Sequence, residues 1–246
     1  MSRPFLILQL RPETEASDDE YAAILRKGGL DEAQAWRVRL DREGLPDALD
    51  LDALSGVIVG GGPGCVSDAP QDKTAMEARI EDAVLSLMPR ITARDFPFLG
   101  CCYGIGILGR HLGGVVGKGA HGEPVGTSAC EVTQEGRADP LLAGLPERFD
   151  AFVGHKEALE ALPPGCAHLV RSAPCPYQMV RHGRNVYATQ FHPEADGAGF
   201  ETRIHVYKDR GYFAPEEAED LIRMARAADV HAPELILRNF VARYAR

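Results

Sequence analysis

The sequence predicts an α/β fold, an open and mostly parallel sheet flanked by helices with added β-hairpins. Three observations carry this. From Phe5 to Leu112, short apolar runs alternate with stretches of helix length. Two of those runs end in glycine-rich turns, Gly60-Gly61-Gly62-Pro63-Gly64 and Gly100-Cys101-Cys102-Tyr103-Gly104. Such turns fall at the carboxyl ends of the strands, the edge where parallel sheets place their active sites. From Val115 to Gln190 the apolar runs shorten and are separated by Gly and Pro turns, such as Gly122 to Gly126 and Pro163 to Gly165. That pattern predicts hairpins attached to the sheet rather than a second domain.

In chain order, Phe5 to Leu10 is an apolar strand. Asp18 to Lys27 is helical, with Ser17 as its N-cap and Gly28-Gly29 as its end. Ala35 to Leu40 alternates Trp36, Val38 and Leu40 and is a second strand. Asp47 to Leu54 is a short acidic helical turn, and Gly56 to Val59 a third strand. A long helix follows over about Asp72 to Met88, with Ala75, Ile80, Ala83, Val84 and Leu87 as its buried face. Phe96 to Cys101 is the next strand, Tyr103 to Leu112 the next helix, and Val186 to Phe191 a late strand ending at His192-Pro193-Glu194. Three helical stretches close the chain, about Phe200 to Arg210, Pro215 to Ala228 and Ala232 to Tyr244. The expected organisation is a single domain over 1–246 with a helical C-terminal extension over about 199–246.

The chain has 246 residues, 45% of them hydrophobic, enough for a substantial core. Its net charge of −9 argues against nucleic acid and anionic membranes as partners. The first apolar run is too short for a signal peptide or a membrane span. The cysteines, at positions 65, 101, 102, 130, 166 and 175, form neither a disulfide framework nor a CxxC metal knuckle. A cytoplasmic protein with reduced thiols, no metal and no cofactor is expected.

The chemistry centres on the turn at Cys101-Cys102. A nucleophile on a sharp strand-to-helix turn sits in strained backbone, and the residues two before and two after it must be small. Around Cys102 these are Gly100 and Gly104; around Cys101 they are Leu99 and Tyr103. Cys102 is therefore the candidate nucleophile, and the helix N-terminus after it should favour thiolate. Two inert cysteines in a buried turn are the plain alternative. A thiol needs a base oriented by a third group. His192, just past a strand with Glu194 two residues on, fits both parts; a surface turn would also fit. His111 and His155 are weaker candidates, and the remaining histidines are assigned to solvated faces. A tetrahedral intermediate needs N–H donors. Gly62 in the Gly-rich turn and Tyr103 after the nucleophile could supply them, although a tight βα turn needs no such role. The Gly-Lys-Ser/Thr of a phosphate-binding loop is absent.

Together, Gly100 to Gly104, Gly60 to Pro63 and Gln190 to Glu194 resemble the nucleophile turn, oxyanion loop and His-x-Glu of class I glutamine amidotransferases. Phe152 to Glu157 followed by Leu162 to Gly165 is most similar to the glutaminase domain of GMP synthases. The resemblance covers about Phe5 to Glu194. It implies a flavodoxin-like sheet, a Cys102–His192–Glu194 triad, and hydrolysis of a side-chain amide through a γ-glutamyl thioester with release of ammonia. The positions implied for substrate binding are Gly61, Gly106, Val153, Gly154 and His155. One departure stands out. Gly104-Ile105-Gly106 replaces the family's Gly-His-Gln, whose Gln helps hold glutamine, so weak binding of free glutamine is expected. The chain leaves no room for a synthetase domain, so ammonia is expected to go to a separate protein partner or to be released by a free-standing hydrolase. Three readings follow: a glutamine amidotransferase acting on a small-molecule amide, a γ-glutamyl peptidase or hydrolase, and a non-catalytic regulatory member.

Overall fold

The computed structural model describes residues 3–246. Its nine-stranded sheet is built from β1 (Phe5–Gln9), β2 (Ala35–Arg39), β3 (Gly56–Val59), β4 (Phe98–Cys101), and, after the two-residue β5 (Val116–Gly117), β6 (Glu123–Val132) and β7 (Arg148–His155). The two-residue β8 (Ala158–Leu159) pairs with β5 outside that sheet, which continues with β9 (Cys166–Ser172), β10 (Met179–His182) and β11 (Val186–Thr189). The strand order is β2-β1-β3-β4-β11-β10-β9-β6-β7. The first five run parallel; each later neighbour is antiparallel. The predicted hairpin region therefore extends the parallel block rather than forming a separate sheet.

Strand periodicity sorts the core into two layers. Leu6, Leu8, Val57, Val59 and Phe98 face α2 (Ala75–Ala93) and α3 (Tyr103–His111). Phe5, Ile7, Ile58, Leu99 and Cys101 face α1 (Thr14–Gly28) and, after the one-turn α4 (Gln134–Arg137), the C-terminal helix. A third cluster joins Phe152 to Phe200, Ile204 and Ile222. These last three lie on α5 (Gly197–Tyr207) and α6 (Ala218–Ala227), ahead of α7 (Glu234–Tyr244). Within the expected C-terminal helical extension, α7 lays Phe240 on Phe5, ring centroids 5.9 Å apart. Burying such a side chain contributes about 1.5–3 kcal/mol.

Helix boundaries differ from expectation in α5, which runs Gly197–Tyr207 rather than about Phe200 to Arg210, and more widely in α1 and α2. α1 begins a turn early, so Ser17 is no N-cap: it is buried inside the helix, with its carbonyl accepting from Gln9 Nε2 at 2.5 Å. α2 starts at a capping box, Thr74 with Glu77, and continues through Pro89 to Ala93. A proline inside a helix costs about 3 kcal/mol, and burial of Met88 and Ile91 on either side offsets it. Ala75 is exposed and Ala83 half-buried, so the buried face is Ile80, Val84, Leu87, Met88 and Ile91, with Glu81 among them.

Candidate active site

The carboxyl ends of β1, β3, β4 and β11 converge on one edge. β4 ends at Cys101, whose side chain is fully buried in the sheet-facing core. The next residue turns sharply: Cys102 has φ +52°, one of two non-glycine residues with positive φ among those described. Such backbone costs about 1–3 kcal/mol and persists only where the surroundings enforce it. The Cys102 N–H donates to the Thr189 carbonyl of β11 at 2.7 Å. A Cβ on Gly100 would lie 2.9 Å from the Gly104 Cα, so the small-residue requirement is physical. Tyr103 opens α3, and as its first residue its N–H has no intrahelical acceptor.

Just past β11, His192 Nδ1–H donates to Glu194 Oε1 at 2.8 Å. Arg203 of α5 donates from Nη2 to the same oxygen, also at 2.8 Å. All three side chains are buried. The neutral ring then offers Nε2 as acceptor, and His192 and Cys102 line the same cavity of about 50 Å³. Burial lowers the His192 pKa, with Glu194 opposing, so the ring is neutral at pH 7. Glu194, despite burial, is held well below the usual carboxylate range by His192 and Arg203.

The expected lowering of the Cys102 thiol by the helix N-terminus is not met. Burial pushes the Cys102 thiol up to about 12, with Arg11 and Arg203 opposing. The helix N-terminus does not overcome desolvation, and the thiol needs a base to lose its proton.

The Gly-rich turn after β3 is shaped by groups that carry no obvious mark in the sequence. A Cβ on Gly60 would collide with the Glu20 carboxylate; one on Gly61 would lie 2.6 Å from Arg11 Nη2 and 2.7 Å from His192 Cε1. Glu20, buried in α1, accepts from the Gly61 N–H at 3.1 Å and from Arg11 Nε at 2.9 Å. The Gly61 N–H is thus already used and is not free for substrate. Gly62 remains, lining the cavities that contain Cys102.

The other expected substrate positions divide. Gly154 lines both cavities at Cys102, and His155 lines one. The His155 ring is held on both sides, by Glu123 Oε2 at 3.0 Å and the Glu157 carbonyl at 2.9 Å, which leaves it no role as base. Val153 lies with its side chain in the core between β7 and its neighbours. Gly106 lines neither cavity at Cys102. A Cβ there would meet Val66 Cγ2 at 2.5 Å and Glu157 Oε1 at 2.9 Å. Glu157 fills the place instead, accepting from the N–H groups of Val66 (2.9 Å) and Ser67 (2.8 Å) while lining the cavity.

Arg11, Glu20, Glu157, Arg203 and Tyr212 were missed. Arg11 carried a sequence signal, a charge at the carboxyl end of an apolar strand, and Glu157 closes the segment Phe152 to Glu157 that resembles the family. Tyr212, in the segment after α5, donates its hydroxyl to the Pro63 carbonyl at 2.6 Å and lies under Lys156, Nζ 4.6 Å from its ring centroid. Glu123, His155 and Cys175 offer possible metal-ligand atoms within 4.8 Å of one another. Glu123 is already engaged by His155 and Gln178, and burial pushes the Cys175 thiol up to about 12, so a hydrogen-bonded network accounts for the group.

The model of glutamine amidotransferase class I matches residues 25–206. The chain belongs to the class I glutamine amidotransferase family. Among curated relatives, the glutamine-hydrolysing GMP synthase of Thermomicrobium roseum is 36% identical over 141 residues, 56% of this chain and 23% of that protein. A glutamine-hydrolysing GMP synthase subunit from Pyrococcus abyssi is 26% identical over 181 residues, 70% of this chain and 87% of the relative. The chain thus spans about a quarter of the length of the full GMP synthases it matches. A glutamine amidotransferase structure from Thermotoga maritima superposes with TM-score 0.77 at 19% identity, covering 98% of both chains. The fold expected from the sequence is the one these structures share. No helix among the described residues is long and apolar enough to cross a membrane.

Proposed function

We propose that this protein hydrolyses the γ-amide of glutamine or of a γ-glutamyl compound through a thioester on Cys102. His192 Nε2 takes the Sγ proton as sulfur attacks the γ-carbonyl carbon. The N–H groups of Gly62 and Tyr103 receive the oxyanion. The C–N bond breaks as His192 returns the proton to the leaving nitrogen, and ammonia or an amine departs. Water, deprotonated by His192, then attacks the thioester, releasing glutamate and the Cys102 thiol. Glu194 fixes the ring tautomer and balances the imidazolium. The observation that supports this best is the 2.8 Å His192–Glu194 pair sharing a cavity with a cysteine on strained backbone. A separate ammonia-accepting protein belongs to the same reading; the match to a GMP synthase relative named as one subunit of its enzyme favours it. Such a partner should raise glutamine hydrolysis when added.

The test is covalent capture. A glutamine analogue bearing an electrophile in place of the amide should add one mass increment, mapped to Cys102. Cys102→Ser should lose turnover, and Cys101→Ser should keep most of it. Label on Cys101, or full activity in Cys102→Ser, sinks the reading.

A further inference from the structure

His192 returns its proton to the leaving nitrogen, so the leaving group must lie on the His192 side of Cys102. Two cavities meet at the thiol. One, of about 20 Å³, contains Cys102 without His192 and shares Gly62, Gly64, Tyr103 and Tyr212 with an outer cavity of about 370 Å³. Together they have room for a glutamyl chain. The other, of about 50 Å³, contains both Cys102 and His192. It is the leaving-group side, and ammonia would not need what lines it.

Two buried arginines line it. Arg203 is 6% exposed, and its Nε and Nη1 have no hydrogen-bond partner. Arg11 is 5% exposed; Nε is held by Glu20 and Nη1 by the Tyr207 hydroxyl, while Nη2 stands over Gly61 beside His192 and donates to no protein acceptor among the described residues. Two carboxylates stand behind these arginines: Glu20 holds Arg11 Nε, and Glu194 Oε1 is shared by His192 and Arg203 while its Oε2 has no partner. Val125, Phe200, Ile204 and Phe213 give the wall an apolar side, and Tyr207 and Tyr212 complete it with hydroxyls already bonded to Glu13 and the Pro63 carbonyl. Buried cationic donors without acceptors are costly and call for an anion. The size limits what carries it. At about 50 Å³ the cavity has room for only a small group of atoms, far less than a large side chain needs.

Resting on the thioester reading above, we propose that the leaving group is a small, uncharged-side-chain α-amino acid, so that the preferred substrate is a γ-glutamyl dipeptide. Its α-carboxylate sits between Arg11 and Arg203, and its methyl-sized side chain packs on Phe200 and Phe213. Arg203 would then have two duties, positioning Glu194 and binding the leaving carboxylate.

The experiment compares kcat/KM of the wild type on γ-glutamyl-alanine, γ-glutamyl-alaninamide, γ-glutamyl-tryptophan and glutamine. A charge-assisted hydrogen bond is worth about 10- to 100-fold, so γ-glutamyl-alanine should exceed its amide by that factor. It should also exceed the tryptophan compound and glutamine. In Arg203→Gln the advantage over the amide should collapse toward one, whatever happens to the shared rate. If that variant does not fold, the wild-type ratios decide alone. Cys102 acylation by glutamine with equal turnover of the acid and amide dipeptides overturns this proposal and leaves the thioester reading standing. No acylation and no turnover of any compound overturns both.

Discussion

At the scale of single residues, Gly106 shows how a missing side chain can be misread. Its side was expected to leave the substrate's amino-acid end unheld. Instead Val66 and the Glu157 carboxylate occupy that space. Gly106→Gln should therefore not tighten glutamine binding. Overpacking here costs about 1–3 kcal/mol, and the variant should lose several degrees of Tm and raise KM; a lower KM at unchanged Tm would contradict the packing. The histidine makes a second prediction. Its lowered pKa means that the unprotonated, competent ring is fully present at neutral pH and is lost only as pH falls below the ordinary 6.5. The acid limb of kcat/KM should lie below that value. In Glu194→Gln the ring loses a partner that raises its pKa, so the limb should move further toward acid while the plateau falls. His192→Ala should lose at least about 100-fold of rate.

At the scale of elements, the sequence spoke clearly wherever a local rule applied. The sharp turn at Cys102 was legible because Gly100 and Gly104 flank it at the spacing the backbone demands. β3 came out at its observed bounds because Gly56 and the glycine run close it on both sides. Arg203, Tyr212 and Glu20 were illegible because nothing local marks them. They reach the site through the way α1 and α5 lie across the sheet edge. The start of α1 was missed because Ser17 looks like a cap, yet its place is decided by the buried Gln9 beside it. The thiol's protonation was missed because a helix end is visible in sequence and desolvation is not. Packing of α7 carries its own prediction. Phe240 is fully buried against Phe5 and Tyr244, with centroids 5.9 and 4.9 Å away. Phe240→Ala should cost about 3–5 kcal/mol in urea unfolding; a loss under about 1 kcal/mol would mean that α7 is not part of the core.

At the scale of the whole molecule, the sheet is divided by direction. Its parallel half brings four strand ends to the thiol, and its antiparallel half supplies Gly154 on β7, with Glu157 just past that strand's end. All six cysteines share one property across this architecture: burial raises every thiol, to about 11 at Cys65 and Cys166 and to about 12 at Cys102. Oxidants and simple alkylators attack thiolate. On the proposed mechanism Cys102 stays protonated until His192 takes its proton during attack, and it should therefore resist peroxide between turnovers. Millimolar hydrogen peroxide should inactivate the enzyme slowly, and iodoacetamide should label Cys102 far more slowly than a glutamine-shaped electrophile does. Equal labelling rates would mean that the thiol rests ionised. On that mechanism the half-buried Cys102 should react fast only with a substrate long enough to reach it, so reactivity and recognition become one event.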